Sequence, residues 1–283
     1  MKKTRITTAC ICLTLAITFS AYAQNKEAIR KSAPLYECIY SYTINCEVQE
    51  AYSIVLQIGK DFSRFYDYTA YAVDSLAAVP GVSEDEKKQL EERRVTSMFC
   101  FDAEIWQNVP EGAMTVTMEV SPNFMSYEED LNGMRWTLEE GSETICGYLC
   151  NKATTTYGGR EWTVWYAPDI PSTAGPWKFN GLPGLIMAAK DSDSLHEFKA
   201  ISFRKGDLPV SKADDTTVYH STRDKVLNAK LAAEKDIQSG KMPGVSEVRY
   251  ISIHKTLDGN SIIYINGVAR RPRPNGYQPL ELE

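Results

Sequence analysis

From Tyr36 to Val48 every even-numbered position is apolar or aromatic: Tyr36, Cys38, Tyr40, Tyr42, Ile44, Cys46 and Val48. The odd positions are polar except Ile39. Alternation of period two predicts a β-strand with one side buried and the other in water. The pattern returns at Tyr52, Ile54, Leu56 and Ile58, and again at Met114, Val116, Met118 and Val120. Alternation this clean belongs to antiparallel sheets with one solvated face. Further strands are expected at 62–71, 123–128, 134–139, 144–157, 160–167, 185–190, 196–204, 247–254 and 261–266. Gly158-Gly159 reads as a two-residue hairpin turn, and Asp258-Gly259-Asn260 as another turn.

Two segments break the alternation. Ser83-Glu84-Asp85-Glu86 is a capping box that opens a helix running to about Met98. Ser221-Thr222-Arg223-Asp224 opens a second helix, through Leu227, Leu231 and Ile237, which Gly240 and Pro243 stop. The fold class these elements imply is mainly β (α+β). It is a curved antiparallel sheet, as a half-open barrel or a sandwich, with two helices packed against it. No repeat or long linker divides the chain, so residues 24–283 are expected to form one domain. It would end in an extended, poorly packed tail over about 268–283, where Arg270, Arg271, Arg273, Pro272 and Pro274 cluster.

The first residues change the reading of the whole. Lys2, Lys3 and Arg5 precede the apolar run Ala9–Phe19, and Ala21-Tyr22-Ala23 supplies a small-x-small cleavage site. Residues 1–23 therefore read as a secretory signal peptide cut before Gln24. No second apolar stretch reaches the ~20 residues of a membrane helix. The formal charge of −6 becomes −9 once the leader's three basic residues are gone. An exported, acidic protein of the periplasm, outer envelope or medium is expected, with no nucleic-acid partner, because nothing here would displace that partner's counterions. After cleavage Cys38, Cys46, Cys100, Cys146 and Cys150 remain, and an oxidising compartment favours one or two disulfides among them. On one strand Cys38 and Cys46 would stand about 26 Å apart, and Cys146 and Cys150 about 13 Å, at ~3.3 Å per residue. Any bridge must then join different segments.

The stretch 145–191 contains Cys150-x-Lys152-Ala153, Gly159-Arg160, the run Trp165 to Pro171, Gly175-Pro176 and the hexapeptide Gly181-Leu182-Pro183-Gly184-Leu185-Ile186. In these motifs, and more loosely in Asp74-Ser75 and the closing Gln278-Pro279-Leu280-Glu281, the chain resembles the GLPGLI family of exported Bacteroidota proteins. The resemblance brings no activity, substrate or catalytic residue with it.

Physically, Leu182-Pro183-Gly184-Leu185 fits a type II turn feeding a buried strand. The alternative is a binding loop, in which Gly181 and Gly184 let backbone approach a ligand. Trp162, Trp165 and Trp177 crowd beside Tyr166 and Phe179, as core packing or as an aromatic groove. The candidate ligand-binding residues are thus Trp162, Trp165, Trp177, Phe179, Gly181 and Gly184. Nucleophile, zinc-protease and phosphate-loop signatures are absent from the sequence, and no cofactor is expected. Asp191, Asp193 and His196 form the one arrangement from which a metal site or hydrolase could be built, but they also suit a charged hairpin loop. Three functions follow: a non-enzymatic protein binding an apolar ligand or a partner segment, which the residues favour; an accessory protein of an outer-membrane receptor system; or a metalloprotein or hydrolase on that last triplet.

Overall fold

A computed structural model describes residues 34–96, 101–121, 123–206, 210, 218–239, 241, 251–255, 261–265, 268–270, 273 and 275–282. The expected leader, Cys100 and the turn at 258–260 lie outside them. Fifteen strands are described: β1 Tyr36–Ile44, β2 Glu50–Ile58, β3 Ser63–Asp67, β4 Ala103–Gln107, β5 Ala113–Val120, β6 Asn123–Asp130, β7 Thr137–Ile145, β8 Tyr148–Tyr157, β9 Arg160–Ala167, β10 Leu185–Asp191, β11 His196–Lys205, β12 Val218–His220, β13 Ile251–Lys255, β14 Ser261–Ile265 and β15 Val268–Arg270. The helices are α1 Tyr68–Ala77, α2 Glu84–Thr96 and α3 Arg223–Gln238. The fold is mainly β. Twelve strands form one sheet in the order β12-β6-β5-β4-β3-β2-β1-β11-β10-β9-β8-β7, and β13-β14-β15 form a separate small one. Every pairing in the large sheet is antiparallel except β12 with β6.

The large sheet curls without closing. Tyr157 of β8 donates to Glu129 of β6 at 3.2 Å, although eight strands separate these two in sheet order. The even positions of β1 face the enclosed side as the alternation requires: Cys38 and Tyr40 are fully buried, Tyr42 and Ile44 nearly so. Tyr42 pairs with Tyr52 across β2 and stacks on Phe198 of β11 at 4.4 Å. The Tyr40 hydroxyl donates to Ile186 O at 2.7 Å, so this large ring is buried without leaving its polar end unpaired. Each such side chain contributes roughly 1.5–3 kcal/mol through removal from water.

Several expectations need correction. The outer face of β1 and β2 is wet at one end, where Ala51 and Ser53 are exposed, but not at the other, where α1 covers it. Glu37 is fully buried there, accepting from Gln57 at 3.0 Å, from Tyr71 of α1 at 2.9 Å and from Arg204 at 3.1 Å. Residues 62–71 are not one strand. β3 stops at Asp67, whose carboxylate accepts the Thr69 N–H at 2.7 Å and the Phe101 N–H at 2.9 Å, and so starts the unexpected third helix. β1 ends at Ile44 rather than Val48. Residues 144–157 are two strands joined by a tight turn, with Cys146 at φ 50° and Gly147 at φ 83°, so the linear spacing of Cys146 and Cys150 does not apply. Cys38, Cys46, Cys146 and Cys150 carry free thiols.

Other features agree with the sequence. Glu86 accepts from the Ser83 N–H at 2.9 Å, and Ser83 Oγ accepts the Glu86 N–H at 3.3 Å, which is the expected capping box. Gly158 and Gly159 have φ of 59° and 72° in a two-residue hairpin. α3 starts after Thr222, whose carbonyl accepts the Val226 N–H. Among the described residues no helix is long and apolar enough to cross a membrane.

Candidate functional site

Between β9 and β10 the chain makes a 17-residue excursion, 168–184, that folds back on itself. Ala174 bridges Asn180, the Gly181 N–H donates to Thr173 O at 2.9 Å, and the Ile186 N–H donates to Ala174 O at 3.0 Å. Side chains from outside hold its backbone: Trp136 Nε1 donates to Asn180 O at 2.8 Å and Gln107 Nε2 to Phe179 O at 3.2 Å. The hexapeptide does not make a type II turn. Instead the Gly184 N–H returns to Leu182 O at 2.9 Å in a three-residue turn around Pro183. The cause is crowding. A Cβ on Gly184 would stand 2.3 Å from Ala167 O, so the chain must turn tightly to pass the end of β9.

Gly184→Ala should therefore cost about 2–3 kcal/mol, the upper part of the overpacking range. Gly181, at φ 93° with Trp136 Nε1 at an unstrained 3.7 Å from an added Cβ, should cost less on the same change, about 1–2 kcal/mol from backbone strain alone. Urea unfolding of both variants checks the order.

Outside this excursion lies an open cleft of about 580 Å³. Its other walls are the β2–β3 turn and the end of β4. Ile58, Phe62, Leu131, Ile170 and Ala174 give it apolar surface, and Lys60, Asp61, Asn108, Ser172 and Asn180 line a comparable share with hydrogen-bonding groups. Asn108 holds its wall rigid at φ 62°. Its side chain donates to Asp61 O at 2.6 Å and accepts the Gly112 N–H at 2.7 Å.

Inside the excursion is a buried ionic hub. Lys178 is fully buried, with Nζ 2.7 Å from Glu129 of β6 and 2.6 Å from Glu281, and it lies over the Tyr127 ring at 4.9 Å. Glu281 is also gripped by Arg223 of α3 at 2.5 Å. The C-terminal residues are extended, but they are packed as a strap across the mouth of the curled sheet. Arg160 donates to Pro279 O at 2.9 Å and Leu280 O at 3.2 Å, and Arg273 bonds Asp102 at 2.8 Å. Burial alone would raise the Asp102 carboxyl, but Lys230 at 2.5 Å and Arg273 overcome it and hold the group at about 2. Beneath the strap a cavity of about 60 Å³ remains.

The six candidate ligand residues separate. Trp162, Trp177 and Phe179 meet in the core at 1%, 3% and 0% exposure, their ring centroids 5.0–5.6 Å apart. Trp165 is half-buried and lies apart from them, and Gly181 is exposed. Gly184 lines the cleft, and Trp177 lines the cavity beneath the strap. Asp191, Asp193 and His196 do not converge. Asp191 accepts from Arg160 at 2.9 Å and caps the His196 N–H at 2.9 Å, while Asp193 is exposed. The His196 ring is fully buried between Tyr42 and Trp162, with Nδ1 2.8 Å from the Tyr42 hydroxyl. Burial first, and Arg160 second, lower its pKa to about 3, so the ring is neutral. Among the described residues no three His, Cys, Asp or Glu side chains are arranged to hold a metal ion. Sequence reasoning missed Lys178 and the strap. A lone lysine between Trp177 and Phe179 was the available signal.

Residues 156–188 match the family described as "Protein of unknown function (Porph_ging)". No curated protein matches the chain. Among solved structures it is similar to PNGF-II in two crystal forms, at 15% identity in each and TM-scores of 0.49 and 0.48. These overlaps cover 71% and 81% of this chain and 34% and 39% of PNGF-II, so the chain spans little more than a third of that protein. A LolA superfamily protein from Nitrosomonas europaea overlaps 69% of this chain and 94% of its own at 8% identity and a TM-score of 0.23. The matched segment of unknown function is the one that builds both the cleft wall and the ionic hub.

Proposed function

We propose that this chain is a non-enzymatic binding protein of the bacterial cell envelope, one domain over residues 24–283, whose ligand sits in the cleft beside the 168–184 excursion. The observation that carries the reading is the cleft itself. Its volume of about 580 Å³ lies in the range of small-molecule sites, and its lining joins apolar side chains to a comparable share of amides, hydroxyls and charged groups. Two members of the triplet that could build a hydrolase or metal site are engaged in structure: Asp191 holds Arg160, and His196 is neutral and packed between rings. The leader-like first 23 residues support export, and the hexapeptide inside the matched segment supports placing the chain among the GLPGLI proteins. The ligand class is a molecule with an apolar body and hydrogen-bonding or anionic ends, able to meet Lys60, Asn108 and Asn180. Gly184 shapes the cleft wall, while Trp162, Trp177 and Phe179 stiffen that wall from behind.

Anilinonaphthalene sulfonate tests this, since it joins an apolar body to an anion. Ser172→Trp fills the cleft from a half-buried wall position. It should weaken dye binding at least tenfold, about 1.4 kcal/mol, and cost about 1–2 kcal/mol of stability because the Ala174 N–H loses its Ser172 Oγ acceptor, leaving a cooperatively folded protein to titrate. Dye binding that is absent, or unchanged in the variant, removes the cleft as the site.

A further inference from the structure

The strap across the mouth of the sheet is held as a bound peptide is held. Residues 275–281 are half-buried and join no strand ladder. Among the described residues, one main-chain bond ties the end of the strap to the sheet, from the Leu282 N–H to Gly158 O in the β8–β9 turn at 2.8 Å. Side chains do the remaining work, and one of them is the strap's own: Asn275 accepts the Val48 N–H at 3.1 Å and donates to Val48 O at 2.6 Å. Arg160 reads the Pro279 and Leu280 carbonyls, and Lys178 and Arg223 read the Glu281 carboxylate. Two cations, Lys178 and Arg223, meet on that carboxylate and select a carboxylate-bearing segment, while Arg160 keeps its charge paired with Asp191 and gives its remaining N–H groups to the carbonyls. The fit is also incomplete. The 60 Å³ cavity lies between Tyr277 and Leu280 on the strap and Tyr42, Tyr52 and Met118 on the sheet, with room for more apolar volume than the tail supplies.

From these observations we infer that the groove is a binding site for an extended peptide with a Pro–large apolar–Glu core, contributed by a separate protein, and that the chain's own tail is its displaceable occupant. A second copy is a poor competitor on physical grounds. Its identical tail gains no contact over the tethered one, whose effective concentration is of order millimolar. A different chain that fills the cavity does gain one.

The probe is a labelled peptide of residues 275–283 carrying Leu280→Phe, titrated into the full-length protein. Saturable binding is expected, weakened at least tenfold when the peptide also carries Glu281→Gln. At saturation the Leu282 amide of the protein should exchange at least tenfold faster, because the tail has left. The full-length Glu281→Gln protein, its tail weakened, should bind the peptide at least tenfold tighter than the wild type. If that variant does not melt cooperatively, the wild-type titration and exchange decide. Ser172→Trp should leave peptide binding unchanged, which separates this site from the cleft. Failure of the wild type to bind, or binding that leaves Leu282 exchange unaltered, overturns the inference. A concentration-dependent dimer dissolved by the peptide would overturn the separate partner by making a second copy the occupant.

Discussion

Lys178→Met is expected to destabilise the protein by about 3–5 kcal/mol, the range for removing one partner of a buried ion pair. The size follows from what is left behind. Glu129 and Glu281 both lose a contact shorter than 2.8 Å, and the Glu281 side chain is only 6% exposed. Arg223 can still neutralise Glu281 at 2.5 Å, but it reaches Glu129 only at 3.7 Å. Glu129 then keeps the Tyr157 hydroxyl as its closest remaining donor, at 3.2 Å. Glu281→Gln should cost less, about 1–3 kcal/mol, because Lys178 retains Glu129. The two changes together should fall short of their sum by at least about 0.5 kcal/mol, since both act on one contact. Urea unfolding followed by near-ultraviolet circular dichroism measures all three. A loss below about 1 kcal/mol for Lys178→Met would mean that the hub is solvated and that the strap does not seal the sheet.

Much of the sheet was legible because its residues obey a local rule. Tyr36 to Ile44 alternate, and the enclosed face they predict is the one that packs. What escaped has long-range causes. The segment Tyr66 to Tyr71 is aromatic enough for a strand, and only Asp67 as a cap distinguishes it as a helix start. Glu37 reads as wet because glutamate usually is, until Tyr71 and Arg204, 34 and 167 residues away in sequence, close over it. The Cys146-Gly147 turn hid inside an otherwise strand-like run because cysteine seldom takes positive φ. The candidate site divides in the same way. The segment was recognisable from its glycines, prolines and tryptophans, but its rings point into the core. The cleft needs Lys60, Asn108 and Ser172, which no spacing in the chain connects.

The protein should lose stability steeply between pH 6.5 and 3, and His196 should be the largest single cause. An unfolded imidazole takes up a proton near pH 6.5, whereas the folded ring does so only at about 3. Across that window the unfolded chain binds the extra proton, so the stability present above pH 6.5 falls as pH drops. The slope reaches about 1.4 kcal/mol per unit and the total about 5 kcal/mol, comparable with the whole stability of many domains. The groups around the ring explain why it cannot adapt. Tyr42 and Trp162 stack on its faces, the Tyr42 hydroxyl occupies Nδ1, and burial with the repelling charge of Arg160 outweighs a Pro279 backbone contact that favours the charged ring. Protonation therefore requires this packing to open. Asp102 adds a further loss below about pH 4, when the carboxylate held at about 2 by Lys230 and Arg273 begins to protonate in the unfolded chain. His196→Gln removes the titrating group while keeping an uncharged polar side chain. It should cost about 1–2 kcal/mol at pH 7.5 through lost stacking and the Tyr42 bond. Between pH 6 and 4, however, its urea midpoints should fall by much less than the wild type's, and the two curves should converge. Parallel curves would show that His196 titrates normally in the folded protein and that the ring is open to water.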